Sequence, residues 1–208
     1  MADVDMREYR LGRGFAETSR LHYNHMLLKE AIGYNLSPSI PLVGGGTKDK
    51  ASLSLRIADV ATGNGIWPCE VARELPNCQV DGFDVSDAQF PPAEWLPRNV
   101  HLGTFDGAGK LPDELKGKYD IVAVRLIMPV VANRDIAPWV NNFLAMLKPG
   151  GYLQWVEYNP DEKGVRAVDP ENVRERFQTV FKINEATAAA ANAASRPMET
   201  YSSNRPST

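Results

Sequence analysis

A short run of residues near position 60 has the composition of a ligand-binding turn. Gly63 and Gly65 follow the apolar residues 55–61, and the acid Asp59 lies four residues before Gly63. Glycine allows a tight turn and lets the backbone approach a ligand closely. The chain from Trp67 onward is predicted to be helical, so free N–H groups of its first turn would face the same space. We therefore predict that this turn binds a ligand.

Two further acids follow apolar runs. Asp84 lies near the end of residues 80–85, 19 residues after Gly65, and Asp106 follows residues 100–105. Ligands of open parallel sheets bind outside the carboxyl ends of the strands, and an acid there can accept both hydroxyls of a ribose. Asp106 is placed to accept a hydrogen bond from an adenine amino group. Phe105 beside it can stack on the base or pack in the core. These positions predict a cofactor that contains adenosine.

Other interpretations of the same residues stay open. A dinucleotide-binding turn has a third small residue where this chain has Pro68, which fits the first turn of a helix but not the packing role of glycine. A nicotinamide-dependent oxidoreductase is therefore disfavoured. The glycines could also form a purely structural turn, Asp84 could be a solvated loop acid, and Asp-Gly at 106–107 is a common turn pair.

Three polar residues fall where apolar ones are expected. Asp59 lies late in an apolar run, and a buried acid needs partners, so it either orients the glycine turn through backbone N–H groups or contacts the ligand. Arg125 interrupts residues 119–127 and either faces the mouth of the cofactor site or pairs with an acid. His25 lies on an apolar helix face, where a hydrogen-bonded core histidine is commoner than a general base.

The elements that must position these residues alternate along the chain. Periodicity predicts helices at 16–32, 67–75, 136–147 and 170–191, and strands at 55–61, 80–85, 100–105, 119–127 and 152–156. Gly33 is predicted to end the first helix. Alternation of this kind predicts an α/β fold with a mostly parallel sheet flanked by helices. We expect an N-terminal helix and linker at 1–54, a cofactor-binding domain at 55–191 and a disordered tail at 192–208.

The same motifs resemble those of a known family. The residues from Asp59 through Gly65 resemble the glycine-rich motif of class I S-adenosylmethionine-dependent methyltransferases. The order of the later motifs is also similar, namely Asp84, Phe105-Asp106, Tyr119-Asp120 and Leu147-Lys148-Pro149-Gly150-Gly151. The resemblance covers residues 55–157. Glu17-x-x-Arg20-Leu21-x-x-x-His25 and Gln154-Trp155-Val156-Glu157 further resemble fungal small-molecule methyltransferases of secondary metabolism.

This resemblance implies a Rossmann-like fold, S-adenosylmethionine as cofactor and a small organic molecule as methyl acceptor. Asp59, Gly63 and Gly65 would line the methionine side, Asp84 would hold the ribose, and Phe105 with Asp106 would hold the adenine. The full set of cofactor-binding residues implied is Asp59, Ala61, Thr62, Gly63, Asn64, Gly65, Asp84, Val85, Phe105, Asp106 and Arg125. No residue is identified as a general base.

The resemblance also implies seven strands, whereas the sequence predicts five. We therefore expect the last two strands to be missing. The sheet edge left exposed would invite pairing with a second copy of the chain, so a homodimer is a possible assembly. The alternative to an active enzyme is a methyltransferase-like protein without methyl transfer, either a partner subunit or a catalyst of cyclisation.

Composition argues against several other classes of protein. The net charge of −3 gives no basic footprint for nucleic acid, so no nucleic-acid partner is expected. The spacing of Cys69 and Cys78, with three histidines in the chain, fits no zinc pattern, so no metal is expected. The first ten residues are charged and carry no apolar stretch, which predicts a cytoplasmic protein without a membrane anchor.

Overall fold

The computed structural model describes residues 14–42, 54–131, 133 and 135–158. Within them lie three helices, α1 (Phe15–Ile32), α2 (Ile66–Glu74) and α3 (Ala137–Met146), and five strands, β1 (Arg56–Val60), β2 (Gln79–Asp84), β3 (Val100–Thr104), β4 (Tyr119–Arg125) and β5 (Leu147–Val156). The predicted helix at 170–191 and the predicted tail at 192–208 lie outside the described residues.

The predicted elements that fall in the described ranges are confirmed, and one differs clearly in extent. β5 begins at Leu147, five residues before the predicted start at Tyr152. Leu147 already pairs with Tyr119 of β4, and the register then shifts so that Ile121 pairs with Tyr152. The Pro-Gly-Gly segment between these pairs is therefore an irregularity inside the strand and not a turn before it.

The five strands form one sheet in the order β3-β2-β1-β4-β5. All four pairings are parallel, which confirms the predicted Rossmann-like parallel sheet. β2 and β3 lie on one side of β1, and β4 and β5 lie on the other. The carboxyl ends of β1 and β4 therefore flank the point where the strand order reverses, and ligands of such sheets bind in the crevice there. The predicted loss of two strands concerns residues after 158 and stays a prediction.

Both faces of the sheet are buried by apolar side chains. β4 sends Ile121 and Ala123 into one cluster, with Trp67 and Val71 of α2. Its alternate residues, Val122 and Val124 among them, join the other cluster, which contains Phe143 and Met146 of α3. Successive side chains of a strand point to opposite faces, so a strand covered on both sides must be apolar throughout. This is why β4 is apolar from Ile121 to Val124, immediately before it ends at Arg125.

Helix α1 buries the face that its sequence predicts. His25 and Leu28 are buried, and Gly33 ends the helix in the left-handed conformation with φ of 80°. The N–H of Gly33 donates to the carbonyl oxygen of Lys29 at 2.7 Å. The opposite face carries exposed apolar side chains, namely Phe15, Tyr23, Met26 and Leu27.

The first half of the predicted linker belongs to the core. Leu36 and Ile40 are buried in the cluster that contains α2. The backbone carbonyl of Asn35 accepts hydrogen bonds from Trp67 Nε1 at 3.3 Å and from Gln154 Nε2 at 2.8 Å. Residues 35–40 are therefore part of the packed domain. No helix in the described ranges is long and apolar enough to cross a membrane.

Candidate cofactor site

The glycine turn leaves β1 at the centre of the sheet and folds back toward the start of α2. Ala61, Gly63 and Gly65 all have positive φ, at 59°, 65° and 73°. The N–H of Thr62 between them donates to the carbonyl oxygen of Phe83 at 2.8 Å, so the turn stays attached to β2. Glycine adopts this backbone region without strain, whereas Ala61 adopts it at a cost. The turn is thus a strained loop at the carboxyl end of the central strand.

Packing also requires glycine at two of these positions. A Cβ on Gly65 would stand 2.7 Å from Leu102 Cδ1, and one on Gly63 would stand 3.0 Å from Leu21 Cδ1. Leu102 belongs to β3 and Leu21 to α1. The turn is therefore enclosed by side chains from two other elements, and larger residues would push them away.

Asp59 lies beneath the turn and is fully buried. Its Oδ2 accepts hydrogen bonds from Thr62 Oγ1 at 2.7 Å and from Arg125 Nη2 at 3.2 Å. Its Oδ1 is buried without a hydrogen-bond partner among the described residues. The Asp59 carboxylate thus bonds to side chains and not to backbone N–H groups of the turn. Of the two alternatives for Arg125, the structure shows the ion pair with an acid.

Asp84, and not Asp59, is the carboxylate that accepts a hydrogen bond from a backbone N–H of the turn. Asp84 Oδ2 accepts from the N–H of Gly63 at 2.8 Å. Asp84 ends β2 and is half-buried, as is Val85 after it. The structure thus brings two carboxylates, Asp59 and Asp84, against the same five-residue turn. This N–H is engaged by a carboxylate and is not offered to a phosphate group.

Phe105 and Asp106 follow β3, at the same end of the sheet. The Phe105 ring is buried and meets Phe83 edge-on, with ring centroids 6.2 Å apart. The Phe105 ring therefore packs in the core. Asp106 is exposed, and its Oδ1 accepts from the N–H of Ala108 at 3.0 Å. A contact between either residue and adenine stays a prediction.

Helix α1 covers the turn, a contribution that the sequence did not predict. Asn64 is buried, and its Nδ2 lies 3.3 Å from His22 Nδ1 and 3.4 Å from the carbonyl oxygen of Thr18, which accepts from it. Its Oδ1 accepts from the N–H of Ile66, the first residue of α2, at 3.3 Å. Asn64 therefore joins α1 to the start of α2. The one signal in the sequence is the motif from Glu17 to His25, for which no role was predicted.

A chain of charged groups runs from Arg125 away from the turn. Arg125 Nη1 lies 3.2 Å from His25 Nδ1, and its guanidinium lies over the Trp67 ring at 5.2 Å from the centroid. His25 Nε2 lies 3.1 Å from Glu70 Oε2, and Glu70 also accepts hydrogen bonds from Lys29 and Asn35. Side chains of α1, α2, β1 and β4 thus meet in one partly buried polar cluster.

This cluster changes the pKa of two of its members. Burial, together with the neighbouring charge of Arg125, holds the pKa of His25 below its usual 6.5. Burial alone would raise the pKa of Glu70, but the hydrogen bonds from Lys29, Asn35 and His25 outweigh it and lower that pKa to about 2. Glu70 is therefore ionised and His25 neutral near pH 7.

The charges of the crevice fit a cationic ligand. Arg125 compensates the charge of Asp59, so the half-buried Asp84 supplies the net negative charge beside the turn, and the buried Oδ1 of Asp59 is an acceptor without a partner in the described part of the chain. S-adenosylmethionine carries a sulfonium and an ammonium group, which carboxylates attract, and a ribose that an acid at the end of β2 can bind. The residues present therefore suit this cofactor better than a pyrophosphate.

Comparison with known proteins agrees with this geometry. Residues 57–151 match the family model described as a methyltransferase domain. They form a class I methyltransferase domain. The matched range of this methyltransferase domain begins in β1, at Ile57, and ends in β5, so it contains the glycine turn with Asp59, Asp84 and Asp106.

Two curated relatives come from fungi. Methyltransferase grgD of a Penicillium species is 35% identical over 184 residues, which are 84% of this chain and 60% of that protein. N-methyltransferase verN of Clonostachys rogersoniana is 31% identical over 153 residues, which are 73% of this chain and 50% of that protein. The chain thus spans between half and three fifths of the length of these relatives.

Among solved structures, a SAM dependent methyltransferase from Aquifex aeolicus aligns with a TM-score of 0.48 and 15% sequence identity. The alignment covers 78% of this chain and 86% of that one.

Proposed function

We propose that this chain binds S-adenosylmethionine and transfers its methyl group to a small organic acceptor. The observation that carries the proposal is the meeting of Asp59, Asp84 and the glycine turn at the carboxyl ends of β1 and β2, inside the methyltransferase domain. The cofactor supplies a methyl group on a positively charged sulfur, so the chemistry of the transfer belongs to it.

The chain's own residues bind and orient. In the proposed site Asp84 accepts hydrogen bonds from the ribose hydroxyls, and Asp106 accepts one from the adenine amino group. Asp59, with the turn residues Ala61, Thr62, Gly63, Asn64 and Gly65, lines the methionine side. Arg125 acts on this side through Asp59, to which it is bonded. Val85 and Phe105 complete the set as apolar neighbours of the acids. Holding two reactants in line accounts for a large part of the catalysis of such a transfer.

The proposed acceptor is a small molecule that carries a nucleophilic nitrogen or oxygen. One relative is named an N-methyltransferase, which favours nitrogen. The net charge of −3 and the acids around the turn disfavour an acceptor that carries many phosphates, such as a nucleic acid. A role in the biosynthesis of a secondary metabolite is the setting that we propose.

Calorimetric titration tests the cofactor half of this proposal. We expect S-adenosylmethionine and S-adenosylhomocysteine to bind the wild type, and NADH not to bind. Asp84→Ala should abolish binding, whereas Asp113→Ala, which removes an exposed aspartate in an ion pair with Lys116, should leave it unchanged. A folded wild-type protein that binds neither S-adenosylmethionine nor S-adenosylhomocysteine would overturn the proposal.

Transfer itself is tested with the methyl group of the cofactor isotopically labelled, against a panel of small amines and phenols. Label in a product that depends on Asp84 supports the enzyme. Tight cofactor binding without transfer to any acceptor favours the alternative, a methyltransferase-like partner subunit or a catalyst of cyclisation.

A further inference from the structure

His25 is a buried histidine that the proposed function has not yet used. It lies in the middle of α1 with 4% of its surface exposed, and it contacts charged groups on two other elements. Arg125 of β4 faces its Nδ1, and Glu70 of α2 faces its Nε2. A buried histidine with a guanidinium at one ring nitrogen and a carboxylate 3.1 Å from the other is more specific than core packing requires.

The partners determine where the proton of this histidine lies. A guanidinium can only donate hydrogen bonds, so the Nδ1 atom 3.2 Å from Arg125 Nη1 must be the unprotonated, accepting nitrogen. The proton of the neutral ring is then on Nε2, which faces the Glu70 carboxylate at 3.1 Å. The contact with Arg125 therefore exists only while His25 is neutral.

The same guanidinium connects His25 to the glycine turn. Arg125 Nη2 donates to Asp59 Oδ2, and that oxygen also accepts from the hydroxyl of Thr62 in the turn. Four residues before His25 on the same helix, Leu21 packs over Gly63. The turn is thus held from below through Asp59 and covered from above by α1, and His25 joins the two.

We propose that His25 is a positioning residue. In its neutral form it holds Arg125 against Asp59 and α1 over the glycine turn, and its protonation breaks the contact with Arg125 and releases both. The inference rests on the proposed function in one respect, namely that the turn binds S-adenosylmethionine. It predicts that cofactor affinity depends on the protonation of a residue that does not touch the cofactor.

The charges around His25 agree with this role. On protonation the Nδ1–H would point at the Arg125 guanidinium, and Lys29, one turn further along α1, adds a second positive charge. Glu70 is the counter-charge that faces the ring, and Asp59 lies behind Arg125. Burial and Arg125 lower the pKa of His25, which delays protonation until the pH is below 6.5.

The first experiment measures the dissociation constant of S-adenosylmethionine by calorimetry from about pH 8 to about pH 5, across the range in which histidine titrates. In the wild type we expect affinity to fall by about tenfold toward acid pH, as one unit of difference in pKa between free and bound protein requires. In His25→Gln it should stay flat, because the amide can accept from Arg125 and donate to Glu70 but cannot be protonated. His101→Gln, at an exposed histidine of β3, should keep the wild-type profile.

A second experiment needs no cofactor. Hydrogen–deuterium exchange of the ligand-free protein at pH 7.5 should be faster at residues 61–65 in His25→Leu than in the wild type, because Arg125 loses one of its two acceptors and is held less firmly on Asp59. Leu28→Ala, which weakens the packing of α1 beside His25 without touching the polar cluster, serves as the matched control and should leave this segment unchanged.

The outcomes separate the two proposals. A wild-type protein that fails to bind S-adenosylmethionine at any pH refutes the proposed function, and the exchange data then decide the positioning role alone. If the wild type binds but His25→Gln shows the same pH profile, or if His25→Leu and Leu28→Ala exchange alike at 61–65, His25 is only a core residue and the inference is wrong.

Discussion

The Asp84 carboxylate accepts a hydrogen bond from the backbone N–H of Gly63, with 2.8 Å between Oδ2 and N. The acid that ends β2 thus also holds the turn that follows β1, although 21 residues separate the two. One side chain shapes the turn and places a negative charge beside it. Its replacement should therefore affect stability and cofactor binding by different amounts, depending on what replaces it.

Asp84→Ala should lower the free energy of unfolding by about 1 kcal/mol, the usual contribution of a half-exposed hydrogen bond, and abolish binding of S-adenosylmethionine. Asp84→Asn keeps an oxygen for the Gly63 N–H but loses the charge. It should retain most of the stability and still bind the cofactor weakly. Urea denaturation and calorimetry check the two effects. Equal losses of stability in both variants would mean that the hydrogen bond to Gly63 contributes nothing.

The ion pair of Asp59 and Arg125 should be strongly coupled. The side chains are 1% and 12% exposed, so removal of either leaves a buried charge without its partner. Asp59→Asn and Arg125→Met should each cost about 3 kcal/mol of unfolding free energy, and the double variant should cost clearly less than their sum. A double-mutant cycle in urea measures the coupling. Strict additivity would show that the pair does not interact.

Glu70 should make the protein sensitive to acid over a defined range. Its pKa is lowered from 4.5 to about 2 in the folded protein, so its contribution to stability is present above pH 4.5 and is lost as the pH falls toward 2. Glu70→Gln should flatten the stability profile in that range. Glu94→Gln, at an exposed acid, should keep the wild-type slope. Thermal melts at a series of pH values provide the comparison.

A hydrogen bond at the other end of the sheet should affect stability alone. Tyr119, the first residue of β4, donates from its hydroxyl to Asp81 Oδ2 at 2.8 Å, and both residues are buried. Burial and Asp81 raise the pKa of this phenol, so it stays protonated as a donor. Tyr119→Phe should cost about 1–3 kcal/mol of unfolding free energy and leave the cofactor dissociation constant unchanged. A weaker affinity of Tyr119→Phe for S-adenosylmethionine, measured at a temperature at which both proteins are folded, would contradict this.

Gly65 and Gly33 form a matched pair for substitution by alanine. Both have positive φ, at 73° and 80°, so alanine should cost about 1–2 kcal/mol at either position for the backbone alone. A Cβ on Gly65 also meets Leu102 at 2.7 Å, whereas nothing lies within 4 Å of one on Gly33. Gly65→Ala should therefore be the more destabilising and should also weaken cofactor binding. Chemical denaturation with calorimetry on both variants provides the test.

Local patterns were sufficient to predict the sheet and the turn. The central strands β1 and β4 are buried on both faces and are therefore mostly apolar, and the helix α1 shows its buried face as a spacing of three and four residues from Leu21 to Ile32. The positions of Gly63, Gly65 and Asp84 follow from the same strand ends. Each of these features is encoded within a few neighbouring residues.

The sequence offered an ion pair for Arg125 and a hydrogen-bonded core position for His25, but the partners within the polar cluster could not be predicted, because its contacts join residues far apart in the chain. His25 and Arg125 are 100 residues apart, and Asn35 and Gln154 are 119 apart. The side chain of Asn35 donates to Glu70 and Glu74, while its carbonyl oxygen accepts from two further side chains. No repeat in the neighbouring sequence indicates these contacts. The start of β5 was missed for a related reason, since Pro-Gly-Gly normally signals a turn and only the pairing with β4 makes it part of a strand.

The amide of Gln154 binds both the carbonyl of Asn35 and the N–H of Ser37, at 2.8 and 2.7 Å. During synthesis on the ribosome, Asn35 and Ser37 are made 119 and 117 residues before Gln154. The two hydrogen bonds can therefore form only after β5 has been synthesised. The nascent chain therefore carries α1 and its connector without their final anchor until nearly all of the described domain has emerged. Docking of the helix that covers the glycine turn is thereby expected to be a late event, completed only once the sheet has its fifth strand.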